Sequence, residues 1–275
     1  MSRFDSPWWY RVILPNTTYP IPILDVQGLN YRANVWVDGQ QVANNSQIVG
    51  TFRRYLFPLT STNKVVAFLI WRQHDRALPE YTPDRDLGIS FVDWLPYPPD
   101  SNLGLYRNVY LHSRPMAIIV DGIGVNTKFI TTPAAGVARA DVIAEVVVTI
   151  HNYESTAVIG DVVVVFDGLS AQVELKNVKI QPHTFSTVSL PSVLLKHAPI
   201  WWPWRVGNPS LQNLNVSFIV SGTPIFTANI TTGLRQVTSK LDEHDYRLFS
   251  VNHYPFAIFG GAYCPDLFMR REGDW

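Results

Sequence analysis

The sequence predicts an all-β protein that folds as β-sandwiches. Apolar and polar residues alternate over strand-length stretches along the chain, and turn residues bound these stretches. Helical periodicity is weak, and no segment predicts a helix longer than about three turns. Two sheets packed face to face would bury the apolar positions of both.

The first part of the chain carries strand signals at 31–37, 64–71 and 108–112. Asp38 and Gly39 follow the first of these strands, and an Asp-Gly pair favours the positive φ angles of a type I′ hairpin. From Trp71 to Pro99 the pattern changes, because five prolines and many charged residues interrupt it. We expect the first half of this segment to form a long loop, and loops of that length are usually functional or disordered.

A second β region follows Pro115. Its predicted strands are 141–150, 160–166, 171–180 and 184–193, spaced as in a sandwich, with a closing hairpin at 213–220 and 224–231. After Lys240 the pattern changes again, which indicates the entry to a third unit.

The composition favours a neutral ligand. The 275 residues include 22 basic and 22 acidic side chains, so no clustered positive surface is indicated for nucleic acid. The longest apolar run, 65–71, falls far short of the ~20 residues that cross a bilayer, so no membrane span is expected. Nine tryptophans suit the apolar faces and hydroxyls of sugars, although all-β cores also use many aromatic side chains.

Four sequons indicate secretion. Asn16, Asn44, Asn215 and Asn229 each begin an Asn-X-Ser/Thr triplet and are candidate glycosylation sites. The chain opens without an apolar signal core, so we expect any signal peptide to lie outside this sequence. The single Cys264 cannot form an internal disulfide.

Four blocks of sequence, in order, resemble glycoside hydrolase family 2. They are 24–39, a strand and turn of the family's N-terminal jelly-roll; 104–111, similar to the Gly-Ile-Trp-Arg-x-Val block that closes it; 200–209, similar to the Leu-Trp-Trp-Pro segment of the second domain; and 233–263, similar to the junction with the catalytic barrel. Within the family, 6–11 and 90–100 look most like exo-β-D-glucosaminidases, which trim chitosan. β-Mannosidases are the nearest alternative.

The resemblance implies three regions. We expect a galactose-binding-like jelly-roll sandwich over 1–114 and an immunoglobulin-like sandwich over 115–238. Residues 239–275 would be the start of a truncated (β/α)8 barrel, with its first strand at 255–259. In a full-length protein the two sandwiches would contact that barrel.

The resemblance assigns no catalytic residue to this chain. Retaining hydrolysis needs two carboxyl groups about 5–5.5 Å apart, and in this family both are glutamates deep in the barrel. No glutamate here matches either, so we expect the 275 residues to be inactive alone. No cofactor is implied, and His74, Asp75, Asp84 and Asp86 lack the spacing of a metal site.

The residues implied to bind substrate are Asp93 and Trp94. In related enzymes a loop of the jelly-roll reaches over the barrel mouth, and an Asp-Trp pair helps to form the pocket for the terminal sugar. A carboxylate accepts charge-assisted hydrogen bonds from hydroxyl or ammonium groups. The plainer interpretation is a core tryptophan next to a turn-forming aspartate.

A different class of function also fits the sequence. The chain could be a stand-alone carbohydrate-binding module, given its predicted jelly-roll and many tryptophans.

Three further interpretations are structural. We expect Trp36 in the core, Trp201, Trp202 and Trp204 between domains, and Arg107 in an ion pair.

Overall fold

The computed structural model describes residues 6–16, 21–73, 100, 102–116 and 118–261. These residues form strands, turns and bends without any helix, which confirms the all-β prediction. By their contacts the described residues divide into two compact units, one running to Pro115 and one spanning Met116–Gly261.

The first unit is built from short antiparallel strands. They are β1 (Trp8–Ile13), β2 (Ile21–Val26), β3 (Leu29–Asn30), β4 (Arg32–Val37), β5 (Gln40–Ala43), β6 (Tyr55–Pro58), β7 (Val65–Trp71), β8 (Gly104–Leu105) and β9 (Val109–Arg114). One sheet has the order β1-β7-β4-β5, a second has the order β6-β2-β9, and β3 pairs with β8.

The core of this unit lies between the two larger sheets. Strand β4 turns Ala33, Val35 and Val37 inward, and β2 contributes Leu24 and Val26 from the other side. Alternation along each strand therefore supplies one buried face per sheet, as in a sandwich.

The predicted hairpin at Asp38 and Gly39 is confirmed. These residues have φ angles of 47° and 84° and join Val37 to Gln40, which are paired across β4 and β5. The Asp38 carboxylate accepts hydrogen bonds from the backbone nitrogens of Lys64 at 3.0 Å and Val65 at 2.8 Å. The turn is thus tied to the start of β7.

The expected inward position of Trp36 is wrong. Trp36 shares a face of β4 with Arg32 and Asn34, opposite the buried positions, and is only partly buried. Its ring packs against Trp9 on the edge strand β1, with centroids 4.9 Å apart. The inward positions of β4 are thus the smaller Ala33, Val35 and Val37, and the tryptophan ring lies on the opposite face.

The second unit has longer strands. They are β10 (Ile118–Phe129), β11 (Arg139–Asn152), β12 (Val158–Phe166), β13 (Ala171–Ile180), β14 (Thr184–Ser189), β15 (Val193–Pro199), β16 (Gln212–Val220) and β17 (Thr223–Thr232). One sheet has the order β10-β11-β14, with β15 also paired to β11, and the other has the order β13-β12-β16-β17. The two sheets enclose one apolar cluster.

Trp202 belongs to that cluster, so its expected position between domains is wrong. Its side chain is fully buried within the second unit, and its Nε1 donates a hydrogen bond to the carbonyl oxygen of Val137 at 2.8 Å. A buried tryptophan needs such an acceptor for its polar atom. Trp204, two residues later, is 76% exposed.

A three-stranded antiparallel sheet ends the described chain. It consists of β18 (Val237–Leu241), β19 (Arg247–Val251) and β20 (Tyr254–Phe256), in sequence order. A parallel barrel strand is predicted at 255–259, whereas β20 ends at Phe256 and pairs antiparallel with β19. The reason is the two-residue turn Asn252-His253, whose φ angles of 53° and 66° suit a type I′ hairpin. The domain boundaries at 114 and 238 stay predictions.

Candidate functional site

Asp93 and Trp94, the predicted sugar-contacting pair, lie outside the described residues. The structure describes both places where their segment joins the jelly-roll. At one end, Trp71 of β7 pairs with Arg32 and accepts a hydrogen bond from the backbone nitrogen of Tyr31 at 2.9 Å. At the other end, Gly104 of β8 pairs with Asn30. Trp71 and Gly104, on either side of this segment, are therefore both paired with one three-residue stretch, 30–32.

The side chain of Asn30 organises this junction. It is fully buried, and its Nδ2 donates a hydrogen bond to the carbonyl oxygen of Asn102 at 3.0 Å. Its Oδ1 accepts a hydrogen bond from the Thr51 hydroxyl at 2.6 Å. Since a buried amide is costly unless its polar atoms are paired, these bonds fix both Asn102 and Thr51.

The returning chain is held by a further set of hydrogen bonds. The backbone nitrogen of Asn102 donates to the Asp100 side chain at 2.9 Å, and the backbone nitrogen of Leu103 donates to the Asp100 carbonyl at 3.0 Å. The Tyr106 hydroxyl donates to the carbonyl oxygen of Thr51 at 2.9 Å. These hydrogen bonds hold the backbone of Asp100, Asn102 and Leu103 in one conformation, so a segment attached to it can be positioned precisely.

Gly104 is required by the closeness of Tyr10. Its φ is 130°, and a Cβ at this position would overlap the Tyr10 hydroxyl. Burial raises the pKa of Tyr10, and the negative charge of Asp100 adds to this, against a hydrogen bond with the backbone of Leu105. The phenol therefore stays neutral.

A second polar cluster lies on the sheet of β2. The Asp25 carboxylate is 1% exposed and accepts hydrogen bonds from Arg54 Nε at 2.7 Å and Arg54 Nη2 at 3.0 Å. His112 Nε2 lies 3.2 Å from the same carboxylate. Burial alone would raise the pKa of Asp25, but the hydrogen bonds from Arg54 and His112 and the charge of Arg54 lower it overall.

Among the described residues, this cluster holds Asp25 in an ion pair and supplies no second carboxyl group. The neighbours that shift the pKa of Asp25 are Arg54, His112 and Gln27, none of which is a second carboxyl group. Glycoside hydrolysis by the two-carboxylate route needs an opposed acid pair. Sequence reasoning missed Asp25 because nothing in its strand marks it as different from an exposed polar residue.

The four candidate glycosylation residues all lie among the described residues. Asn16, Asn44 and Asn229 are exposed, and Asn215 is partly buried. The Asn44 side-chain oxygen accepts hydrogen bonds from the backbone nitrogen and the hydroxyl of Ser46. None of the four side chains is enclosed in a core.

Two further expectations concern charged groups. Arg107, expected in an ion pair, is exposed and lies over the ring of Tyr106 at 5.7 Å, and it forms no salt bridge with any described residue. His74, Asp75, Asp84 and Asp86, weighed above as a metal site, lie outside the described residues. The described ranges hold no group of three or more His, Cys, Asp or Glu side chains that could bind a metal ion. Within the same ranges, no helix is long and apolar enough to span a membrane.

Comparison with known proteins gives close matches for nearly the whole chain. An exo-β-D-glucosaminidase of Amycolatopsis orientalis is 31% identical over 274 residues, which is 98% of this chain and 25% of that protein. The crystal structure of the exo-chitosanase CsxA of the same organism superposes with a TM-score of 0.79 at 29% identity, covering 98% of this chain and 30% of that one. No protein-family model matches the sequence.

A more distant structure shares the fold. The GH2 β-galacturonidase of Eisenbergiella tayi matches with a TM-score of 0.63 at 14% identity, over 90% of this chain and 38% of that one. The chain spans about a quarter of the length of the Amycolatopsis orientalis relative, and the matched region is N-terminal.

Proposed function

We propose that this chain serves as the non-catalytic N-terminal part of a retaining exo-glycosidase of glycoside hydrolase family 2, because it matches the N-terminal region of exo-β-D-glucosaminidases over nearly its whole length. The substrate class is β-linked glucosamine, as in chitosan oligosaccharides. The observation that carries the proposal is identity of 31% across 98% of the chain to a protein of that activity.

In this proposal the jelly-roll contributes part of the sugar pocket. Asp93 would accept hydrogen bonds from hydroxyl or ammonium groups of the terminal sugar, and Trp94 would supply a wall for its ring. The hydrogen bonds of Asn30 to Asn102 and of Tyr31 to Trp71, on either side of this segment, support such a role. A substrate contact must be held in place by fixed neighbours.

The test is a chimera in which this chain replaces the matching quarter of the Amycolatopsis orientalis enzyme. We expect the chimera to hydrolyse an aryl β-D-glucosaminide and the 275-residue chain alone to show no turnover. In the chimera, Asp93→Ala should lower kcat/KM by about 10- to 100-fold, the equivalent of a lost charge-assisted hydrogen bond. Asp86→Ala, in the same segment, is the matched control and should change it little. Turnover by the chain alone would refute the proposal.

The finer features of this function are also proposals. We propose that the protein follows the secretory route and is glycosylated, because its four sequons lie at partly or fully exposed positions. Secretion would place it beside an extracellular polysaccharide. Mass spectrometry of the protein from its natural source, showing glycans at these residues or none, tests this.

A stand-alone carbohydrate-binding module is the second candidate. It is favoured by exposed aromatic side chains on the second unit, such as Trp204 at 76% and Phe185 at 65% exposure. Calorimetric titration of this chain with glucosamine oligosaccharides distinguishes the stand-alone module from the non-catalytic part of a hydrolase. Affinity tighter than about 1 mM, or roughly −4 kcal/mol, would favour the module.

A further inference from the structure

Two of the four sequons face each other across one pair of strands. Asn215 of β16 and Asn229 of β17 are directly opposed in the antiparallel register. The Nδ2 of Asn215, the atom that a glycan would use, donates a hydrogen bond to Asn229 Oδ1 at 2.8 Å. Directly opposed residues have Cβ atoms about 4.5–5.5 Å apart.

We propose that a folded molecule never carries N-glycans at both Asn215 and Asn229. We further propose that Asn229 is the residue of this pair that is modified. This rests on the proposed secretory route. The reaction is transfer from a lipid-diphosphate-linked oligosaccharide. The bond between sugar C1 and the diphosphate oxygen breaks, a bond from Asn Nδ2 to C1 forms, the lipid diphosphate leaves, and the amide nitrogen loses one proton.

The exclusion follows from the space between the strands. One glycan attached to either nitrogen would occupy the volume directly in front of the opposing side chain. A second glycan would require both residues to turn away from each other, while the backbone pairing of β16 and β17 keeps their Cβ atoms together. A chain modified twice would have to give up part of this pairing, and would fail to reach the folded state.

The choice of Asn229 follows from exposure and bonding. Asn215 lies on an inner strand, with Val165 of β12 opposite it on the other side, and is only partly exposed. Its oxygen also accepts a hydrogen bond from the Ser217 hydroxyl at 3.3 Å. Asn229 is exposed on the edge strand of this sheet. Its Nδ2 donates no hydrogen bond to any described residue.

One tryptic peptide reports both residues together. No lysine or arginine lies between Arg205 and Arg235, so trypsin releases 206–235 with both asparagines in it. The full chain, fused to a secretion signal and expressed in a eukaryotic secretory host, is trimmed with an endoglycosidase to one sugar per site and digested. The supplied signal makes this test independent of the natural location, so its result distinguishes a failure of the exclusion from a failure of the proposed secretion.

We expect peptide 206–235 with one sugar, located at Asn229. Thr231→Ala removes that sequon while keeping Asn229, and should raise the fraction modified at Asn215 several-fold. Ser217→Ala, the matched control, should leave the occupancy of Asn229 unchanged. Doubly modified peptide from folded protein would overturn the exclusion, as would an Asn215 that stays unmodified in Thr231→Ala. A wild-type peptide without sugar, or with sugar at Asn215 only, would overturn the assignment.

Discussion

The side-chain nitrogen of Asn252 donates a hydrogen bond to the backbone carbonyl oxygen of Trp201 across 3.0 Å. Asn252 is fully buried, and its side-chain oxygen accepts a hydrogen bond from the backbone nitrogen of Gln236 at 2.9 Å. The hairpin between β19 and β20 is therefore tied through one side chain to two other segments of the second unit.

Loss of this side chain should destabilise the second unit. Asn252→Ala leaves the Trp201 oxygen and the Gln236 nitrogen without this partner, and we expect a loss of about 2–3 kcal/mol in the free energy of unfolding. Asn177→Ala is the matched control, since Asn177 has a similar φ of 55° but is exposed. It should cost only ~1 kcal/mol. Urea unfolding followed by tryptophan fluorescence measures both, and equal losses would contradict the buried role.

The next residue offers a gain in stability. His253 has a φ of 66°, which the second position of a type I′ turn requires and which glycine adopts most readily. We expect His253→Gly to raise the unfolding free energy by about 0.5–1 kcal/mol. Gly222→His is the reverse substitution at a comparable position. Gly222 has a φ of 78°, and an added Cβ would meet no atom within 4 Å, so any loss would come from the backbone alone. Thermal unfolding should shift in opposite directions for the two variants, and a shift in the same direction would contradict the backbone argument.

The buried carboxylate of Asp25 predicts sensitivity to acid. Its pKa lies below the ordinary value of 3.8 in the folded protein, because Arg54 and His112 outweigh the effect of burial. Because the pKa of Asp25 is lower in the folded than in the unfolded protein, its ionised carboxylate stabilises the fold fully above about pH 4. This stabilisation is lost as the pH falls through the folded pKa.

Asp25→Asn should therefore cost about 2 kcal/mol near pH 7 and progressively less below pH 4. Arg54 is 45% exposed, which keeps the loss well under that of a fully buried pair. Unfolding free energies of wild type and variant between pH 3 and pH 7 measure this. Glu145→Gln, at the surface pair with Lys128, is the control and should cost under ~0.5 kcal/mol. A loss from Asp25→Asn that is the same at every pH would rule out the ionised carboxylate as its cause.

The contact between Gly104 and Tyr10 predicts a rescue. Gly104→Ala places a Cβ on the Tyr10 hydroxyl and strains the backbone at a φ of 130°, so we expect a loss of more than ~2 kcal/mol. Adding Tyr10→Phe to Gly104→Ala should recover part of the free energy lost to the overlap with the hydroxyl, while the ring carbon at 3.0 Å and the strained backbone keep the rest of the loss. A double-mutant cycle on unfolding free energies measures the coupling, and simple additivity would show that the two residues do not meet.

The fold class could be predicted because strand alternation and turn residues are local signals. The Asp38-Gly39 hairpin is an example, since the geometry of a two-residue turn is decided by the residues within it. The face of Trp36 was also within reach of sequence reasoning. It shares the parity of Arg32 and Asn34, whereas Ala33 and Val35 share the opposite parity, so counting positions would have placed it outward.

The candidate site could be predicted only in part. Asp93 and Trp94 come from resemblance and stay predictions, because they lie outside the described residues. Asn30 and Thr51 carry no signal in the sequence because their importance depends on distant partners. Asn30 bonds Asn102, 72 residues away along the chain, and Thr51 bonds Asn30, 21 residues away. Trp202 was misplaced for a similar reason, since its acceptor, the carbonyl of Val137, lies 65 residues away. Long-range pairing of polar atoms has no local signature.

The shared attachment of Trp71 and Gly104 to residues 30–32 has an evolutionary consequence. The number of residues between these two anchors can change without altering strand register in the sandwich, because the register is set by the pairs Arg32 with Trp71 and Asn30 with Gly104. The length and the side chains of the segment between Trp71 and Gly104 can therefore diverge among related proteins, while the sandwich that supports it is inherited unchanged.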